Sequence, residues 1–99
     1  VGYLTGASAA SEGITREIFG PWRFCQEADL QRVFGVNQRG SLKLSAMCDV
    51  GTVTEEELPS KAGGTLLDML RVCCCCAQIW DAVALANAAV DRGLEAAIV

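Results

Sequence analysis

Residues 65–92 read TLLDMLRVCCCCAQIWDAVALANAAVDR. The stretch holds four consecutive cysteines, Cys73 to Cys76, carries no charge between Arg71 and Asp81, and is followed by Gly93. Its pattern predicts one long helix. Thr65 would be the N-cap, Asp68 would favour the positive helix end, Arg92 would sit in the last turn, and Gly93 would supply the left-handed residue that stops it. Such a rod is about 42 Å long, against a diameter of roughly 33 Å for a compact chain of this size. Asp68, Arg71, Gln78 and Asp81 drift around one side and Asn87 and Asp91 come up on another, while no polar side chain lies between Val72 and Ala77. A helix apolar on nearly every side is buried, either in protein or in lipid.

The whole chain, 99 residues with 52% hydrophobic side chains, predicts a single domain over 1–99 and is too apolar for disorder. A net charge of -4 and a pI near 4.6 argue against nucleic acid, which is bound through clustered Lys and Arg, and leave no basic face for anionic lipid. The chain begins at Val1 with no signal-type run, the expectation for a processed, secreted product. Six cysteines and no histidine fit an oxidised chain better than a zinc protein. Adjacent cysteines lack the spacers that let thiolates converge on a metal, so no metal or cofactor is expected.

In order along the chain, residues 1–5 could form a short strand, 6–13 a small-residue loop, and 14–19 an edge strand ending at Gly20-Pro21, where proline interrupts pairing. Trp22 and Phe24 read as packing aromatics. Residues 26–34 predict a short helix with Leu30, Val33 and Phe34 on one face and Gly35 as its stop. After the turn-prone 36–40, residues 41–50 alternate Leu42, Leu44, Ala46, Cys48 and Val50 with Lys43, Ser45, Met47 and Asp49, the clearest strand signal present. Cys48 should therefore face the core. Residues 51–64 form an acidic connection in which Thr54 and Glu57 match a capping box, and 94–99 leave room for a last strand.

On a helix Cys73, Cys74, Cys75 and Cys76 fan over about 300°. Bridges leaving in different directions would suit that arrangement, with Cys25 and Cys48 as partners; six cysteines allow 15 pairings. A CxxC spacing is formally present at Cys73 and Cys76. Reactive pairs of that kind sit at an exposed helix N-terminus in a βαβ setting, which an uninterrupted apolar helix would deny them. The expected architecture is thus α+β: a small two-layer sandwich, its antiparallel sheet packed on a long apolar C-terminal helix plus one short helix, stapled by disulfides.

No His-assisted nucleophile, phosphate-cradling glycine pattern or metal spacing can be assembled, so an enzyme is not expected. Residues 72–90 approach the length of a membrane span, broken by Gln78, Asp81 and Asn87, with small-xxx-small pairs at Ala82/Ala86 and Ala84/Ala88. Val72, Ile79, Trp80, Asp81, Val83, Ala84, Leu85, Ala88 and Val90 are the candidate membrane-active residues. Asp81 makes stable spanning costly, which suggests a helix sheltered in the soluble form.

A small, acidic, cysteine-bearing chain carrying VCCCCAQIWDAVALANAAV over residues 72–90 resembles the secreted, virus-encoded yeast killer toxins in size, charge and layout. The resemblance implies a secreted cytotoxin that docks on a fungal cell-wall mannoprotein and permeabilises the plasma membrane. Separately, cysteines left over from two bridges could pair with another chain, a route to self-association. The alternative is a disulfide-stapled binding or effector domain without membrane action.

Overall fold

The computed structural model describes residues 2–4, 20–35 and 40–99. The loop and edge strand expected over 6–19, and most of the turn at 36–40, lie outside the described residues. A short helix, α1 (Glu27–Leu30), widens into π-type turns over Gln31–Gly35. A 3-10 turn at Pro21–Arg23 precedes α1; strand β1 (Ser45–Asp49) is followed by a 3-10 turn at Glu55–Glu57, strand β2 (Met69–Cys73), a further 3-10 turn at Cys76–Gln78, helix α2 (Ile79–Asp91) and strand β3 (Glu95–Ile98).

Four expectations about architecture are corrected. The sheet is parallel, not antiparallel: β2 lies between β1 and β3, with Ala46 opposite Leu70 and Leu70 opposite Ala96. The single long helix does not exist. Its first part is strand β2, with Val72 completely buried in the sheet, and the helical part spans 13 residues, about 20 Å, after a leading 3-10 turn. Nor is that helix apolar or buried all round, since polar Asp81, Asn87 and Asp91 and apolar Trp80 and Val90 are exposed on it. Finally, no disulfide staples the chain; all six cysteines are free.

The physical reason for the strand is legible in its burial. Leu70 and Val72 point into the core while Met69, Arg71 and Cys73 are only partly covered on the opposite face. A parallel strand covered by a crossover helix reads as an almost continuous apolar run, and periodicity alone does not separate it from a buried helix. Thr65 and Asp68, read as helix-start residues, have other partners. Thr65 is buried, gives its hydroxyl proton to Glu27 and accepts the Leu67 N–H at 3.2 Å. Asp68 accepts the Leu44 N–H at 2.8 Å and the Lys61 ammonium at 3.0 Å.

The other helix end forms as the sequence suggests. Gly93 takes φ +84°, its N–H donates to Val90 O at 3.0 Å, and the Leu94 N–H donates to Ala89 O at 3.1 Å, the paired bonds of a Schellman stop. Buried Leu94 then carries the chain back under the helix into β3. One core results. Ala46, Cys48, Leu70 and Val72 from the sheet meet Ala82, Leu85 and Ala89 from α2, with Leu30, Leu44, Val53, Leu58 and Leu67 filling the end beneath α1 and the 51–68 connection. The alanines let α2 approach closely. The Thr54–Glu57 capping box is present, the Glu57 carboxylate accepting the Thr54 N–H at 3.1 Å.

Candidate functional site

A parallel sheet presents the carboxyl ends of all its strands along one edge, and side chains placed there sit beside the N-termini of the crossover helices. Here that edge is made by Asp49, Cys73 and Val99. Asp49 is the register partner of Cys73, the Val50 N–H donates to Cys73 O at 3.1 Å, and the Cys74 N–H donates to Val99 O at 3.3 Å. The cysteine run is therefore the link from the end of β2 to the first turn of the helical segment. Sequence reasoning placed it inside a helix; the fold places it at a strand-to-helix crossover.

The four thiols occupy unequal positions. Cys73 is partly covered, with Sγ 3.9 Å from Met47 Sδ. Burial, with the Asp49 carboxylate adding both charge and a hydrogen bond, raises its pKa above the ordinary thiol range. Cys74 is half-buried against the core edge. Cys75 is exposed and caps the 3-10 turn: its N–H and its thiol both donate to the Gln78 amide oxygen at 3.3 Å, and the Gln78 N–H returns to Cys75 O at 2.9 Å. Cys76 is exposed in the first turn itself. Trp80, in the first turn of α2, is 80% exposed.

The remaining candidates separate. Cys25 and Cys48 were expected to bridge to this run, and they do not. Burial pushes both of their thiols up to about 11, the behaviour of inert core cysteines. Of the residues considered for membrane action, Val72 belongs to β2, while Leu85 and Ala88 are buried and Val83 is half-buried. Ile79, Trp80, Ala84 and Val90 are exposed on α2. Asp81 and Ala84 line a cleft of about 280 Å³ with Val50, Thr54 and Glu55, on the β1 side of the helix. Among the described residues no helix is long and apolar enough to cross a membrane, and no cluster of cysteines and carboxylates could hold a metal ion.

Asp49, Met47 and Gln78 escaped sequence reasoning as members of the site. Asp49 and Met47 reach it only through strand register. Gln78 carried a signal, since it stands three residues after Cys75, the spacing of a capping box. No family model, no curated protein and no solved structure matches the chain.

Proposed function

We propose that the chain is a thiol–disulfide exchange protein whose reacting pair is Cys73 and Cys76. The observation that carries this reading is the contrast at the crossover: an exposed thiol in the first turn of a helical segment, and a shielded thiol three residues earlier at the end of the central strand. Exposed cysteines at helix N-termini in βαβ units are the ones disposed to react as thiolates. Cys76, as thiolate, attacks one sulfur of a substrate disulfide; a mixed disulfide forms and the other substrate sulfur leaves as a thiolate. Cys73 then loses its proton, attacks Cys76 Sγ, and expels the second substrate thiolate. The protein ends with a Cys73–Cys76 disulfide and is oxidised by two electrons, the substrate gaining both, so a dithiol reductant must regenerate it. Asp49 holds the Cys73 proton until the mixed disulfide brings an acceptor sulfur close.

The test is reduction of insulin disulfides with dithiothreitol as the recycling reductant. Cys76→Ser should abolish the acceleration, Cys73→Ser should accumulate the mixed disulfide, and Cys25→Ser should leave the rate unchanged. No acceleration by the wild-type chain, or acceleration that survives Cys76→Ser, defeats the reading. It departs from the expectation that the chain is not an enzyme, which set the CxxC spacing aside because a long helix would leave Cys73 and Cys76 no exposed helix N-terminus.

A second reading keeps the secreted cytotoxin of the resemblance and its docking on a fungal wall mannoprotein. One observation favours it. Trp80 is 80% exposed beside exposed Ile79, and tryptophan suits the boundary between water and lipid. Action would then be at the membrane surface, since α2 is too short to span. Ergosterol-containing vesicles that neither shift the emission of the wild-type protein relative to Trp80→Phe nor leak dye would remove it.

A further inference from the structure

A methionine sulfur is a ligand for soft metal ions only. The chain has two methionines, and both Met47 and Met69 lie on the sheet face turned away from the core. Met47 stands opposite Arg71 in the register, yet its side chain leans along the strand to Cys73, with Sδ 3.9 Å from Sγ.

That separation has a chemical meaning. Bonds from sulfur to a first-row metal ion with a filled d shell are about 2.3 Å long, so two sulfurs of a trigonal set stand about 4.0 Å apart. Met47 and Cys73 already hold this spacing across two strands, with no rearrangement of the sheet. Cys76 supplies the third sulfur, since a residue able to bridge to Cys73 can also share a metal with it; for this ligand the site rests on the exchange reading.

The neighbouring charge fits as well. Arg71, two residues before Cys73 on the same strand face, has a buried Nε–H without a hydrogen-bond partner. Two thiolates, a neutral thioether and a monovalent cation together carry one negative charge, which an unpaired guanidinium favours. The Asp49 carboxylate, hydrogen-bonded to the Cys73 thiol, is the base through which that proton leaves.

We infer that Met47, Cys73 and Cys76 form a binding site for copper(I). The donors choose the ion. The chain has no histidine, and among the described residues no set of cysteines and carboxylates could hold a metal, so the thioether is what completes this one. Thiolate with thioether selects copper(I), whereas zinc takes a tetrahedral set of thiolate, imidazole or carboxylate. Binding releases the two thiol protons to solvent and changes no oxidation state, so it needs no redox partner. The copper form and the Cys73–Cys76 disulfide exclude each other, because both use the same two sulfurs.

The experiment is anaerobic titration of the reduced chain with copper(I) against a chromophoric copper(I) chelator, with X-ray absorption of the loaded protein. Expected is one copper per chain in a shell of sulfur alone. Met47→Leu keeps the volume and removes the sulfur; it should weaken binding at least about tenfold with its urea midpoint little changed, and Met69→Leu should not weaken it. Zinc binding should show no dependence on Met47. Failure to take copper from the chelator overturns the proposal, as does an affinity that Met47→Leu leaves unchanged, which would put the metal on the adjacent thiols. Met47-dependent copper binding in a chain that cannot reduce insulin would uphold this site and defeat the exchange reading; loss of Met47 dependence in a chain that does reduce insulin defeats this site alone.

Discussion

Residues 65–76 and 77–92 belong to one long apolar run and are opposite in structure: one supplies the central strand of a parallel sheet, the other the helix that crosses over it. In the first, burial has a period of two, Leu70 and Val72 inside with Arg71 turned to the other face. In the second it has the helical period, with Ala82, Leu85 and Ala89 inside. Propensity separates them only in part: Val72 and the cysteines are poor helix formers and the alanines of 77–92 the best, but Met69, Leu70 and Arg71 of the strand are good helix formers too. The run is divided by the period of its burial.

The comparison is sharpened most by truncation in the first half. Leu70 is completely buried between two strands and the helix, and Leu70→Ala should cost about 2–5 kcal/mol in urea unfolding, against roughly 0.5 kcal/mol or less for Val90→Ala on the exposed helix flank of a monomer. Equal losses would mean that the two segments are not buried as described.

Alkaline pH gives the next effect. Cys48 is completely buried and holds its proton up to about 11, against an ordinary thiol value of 9.0. Between those values the unfolded chain binds fewer protons than the folded one, so stability is intact below pH 9.0 and falls by about 3 kcal/mol as pH rises through the folded value. Cys25, raised by the same cause, adds to the fall. A Cys48→Ala chain should show a shallower alkaline decline. An unchanged decline would contradict the burial of that thiol.

The helix stop is worth less. Gly93→Ala forces a side chain into positive φ and against Lys61, and should cost about 1 kcal/mol while leaving β2 and the thiol positions unchanged. Smallest of all, Cys75→Ser or Cys76→Ser should change stability by no more than about 0.5 kcal/mol, because both side chains are exposed. A larger loss at Cys76 would mark it as a structural residue.

Much of the local structure was legible. The alternation in 41–50 is realised over Ser45–Asp49 with Ala46 and Cys48 inside, and the capping box at Thr54 and the stop at Gly93 act as their residue types suggest. The helix over 26–34 begins as α1 and loosens, and β3 fills the room left in 94–99. Strand direction was not legible. Parallel pairing depends on a crossover, and the crossover was concealed by merging β2 with α2 into one helix. The same error moved the cysteine run from a sheet edge into a helix interior, and so dismissed the CxxC spacing for a reason that does not hold in the fold. Asp49 could not be linked to Cys73 without the register.

The central claim is that the cysteine run is a strand-to-helix crossover carrying one exposed and one shielded partner thiol. The most direct measurement is brief alkylation of the reduced native protein, followed by oxidation of a second, unlabelled sample with glutathione disulfide and fragment mass analysis of both. The expected result is rapid labelling of Cys75 and Cys76 with Cys48 untouched, and, in the oxidised sample, a mass loss of two hydrogens confined to a Cys73–Cys76 bridge. Slow labelling of Cys76, or a bridge from residues 73–76 to Cys25 or Cys48, would contradict it.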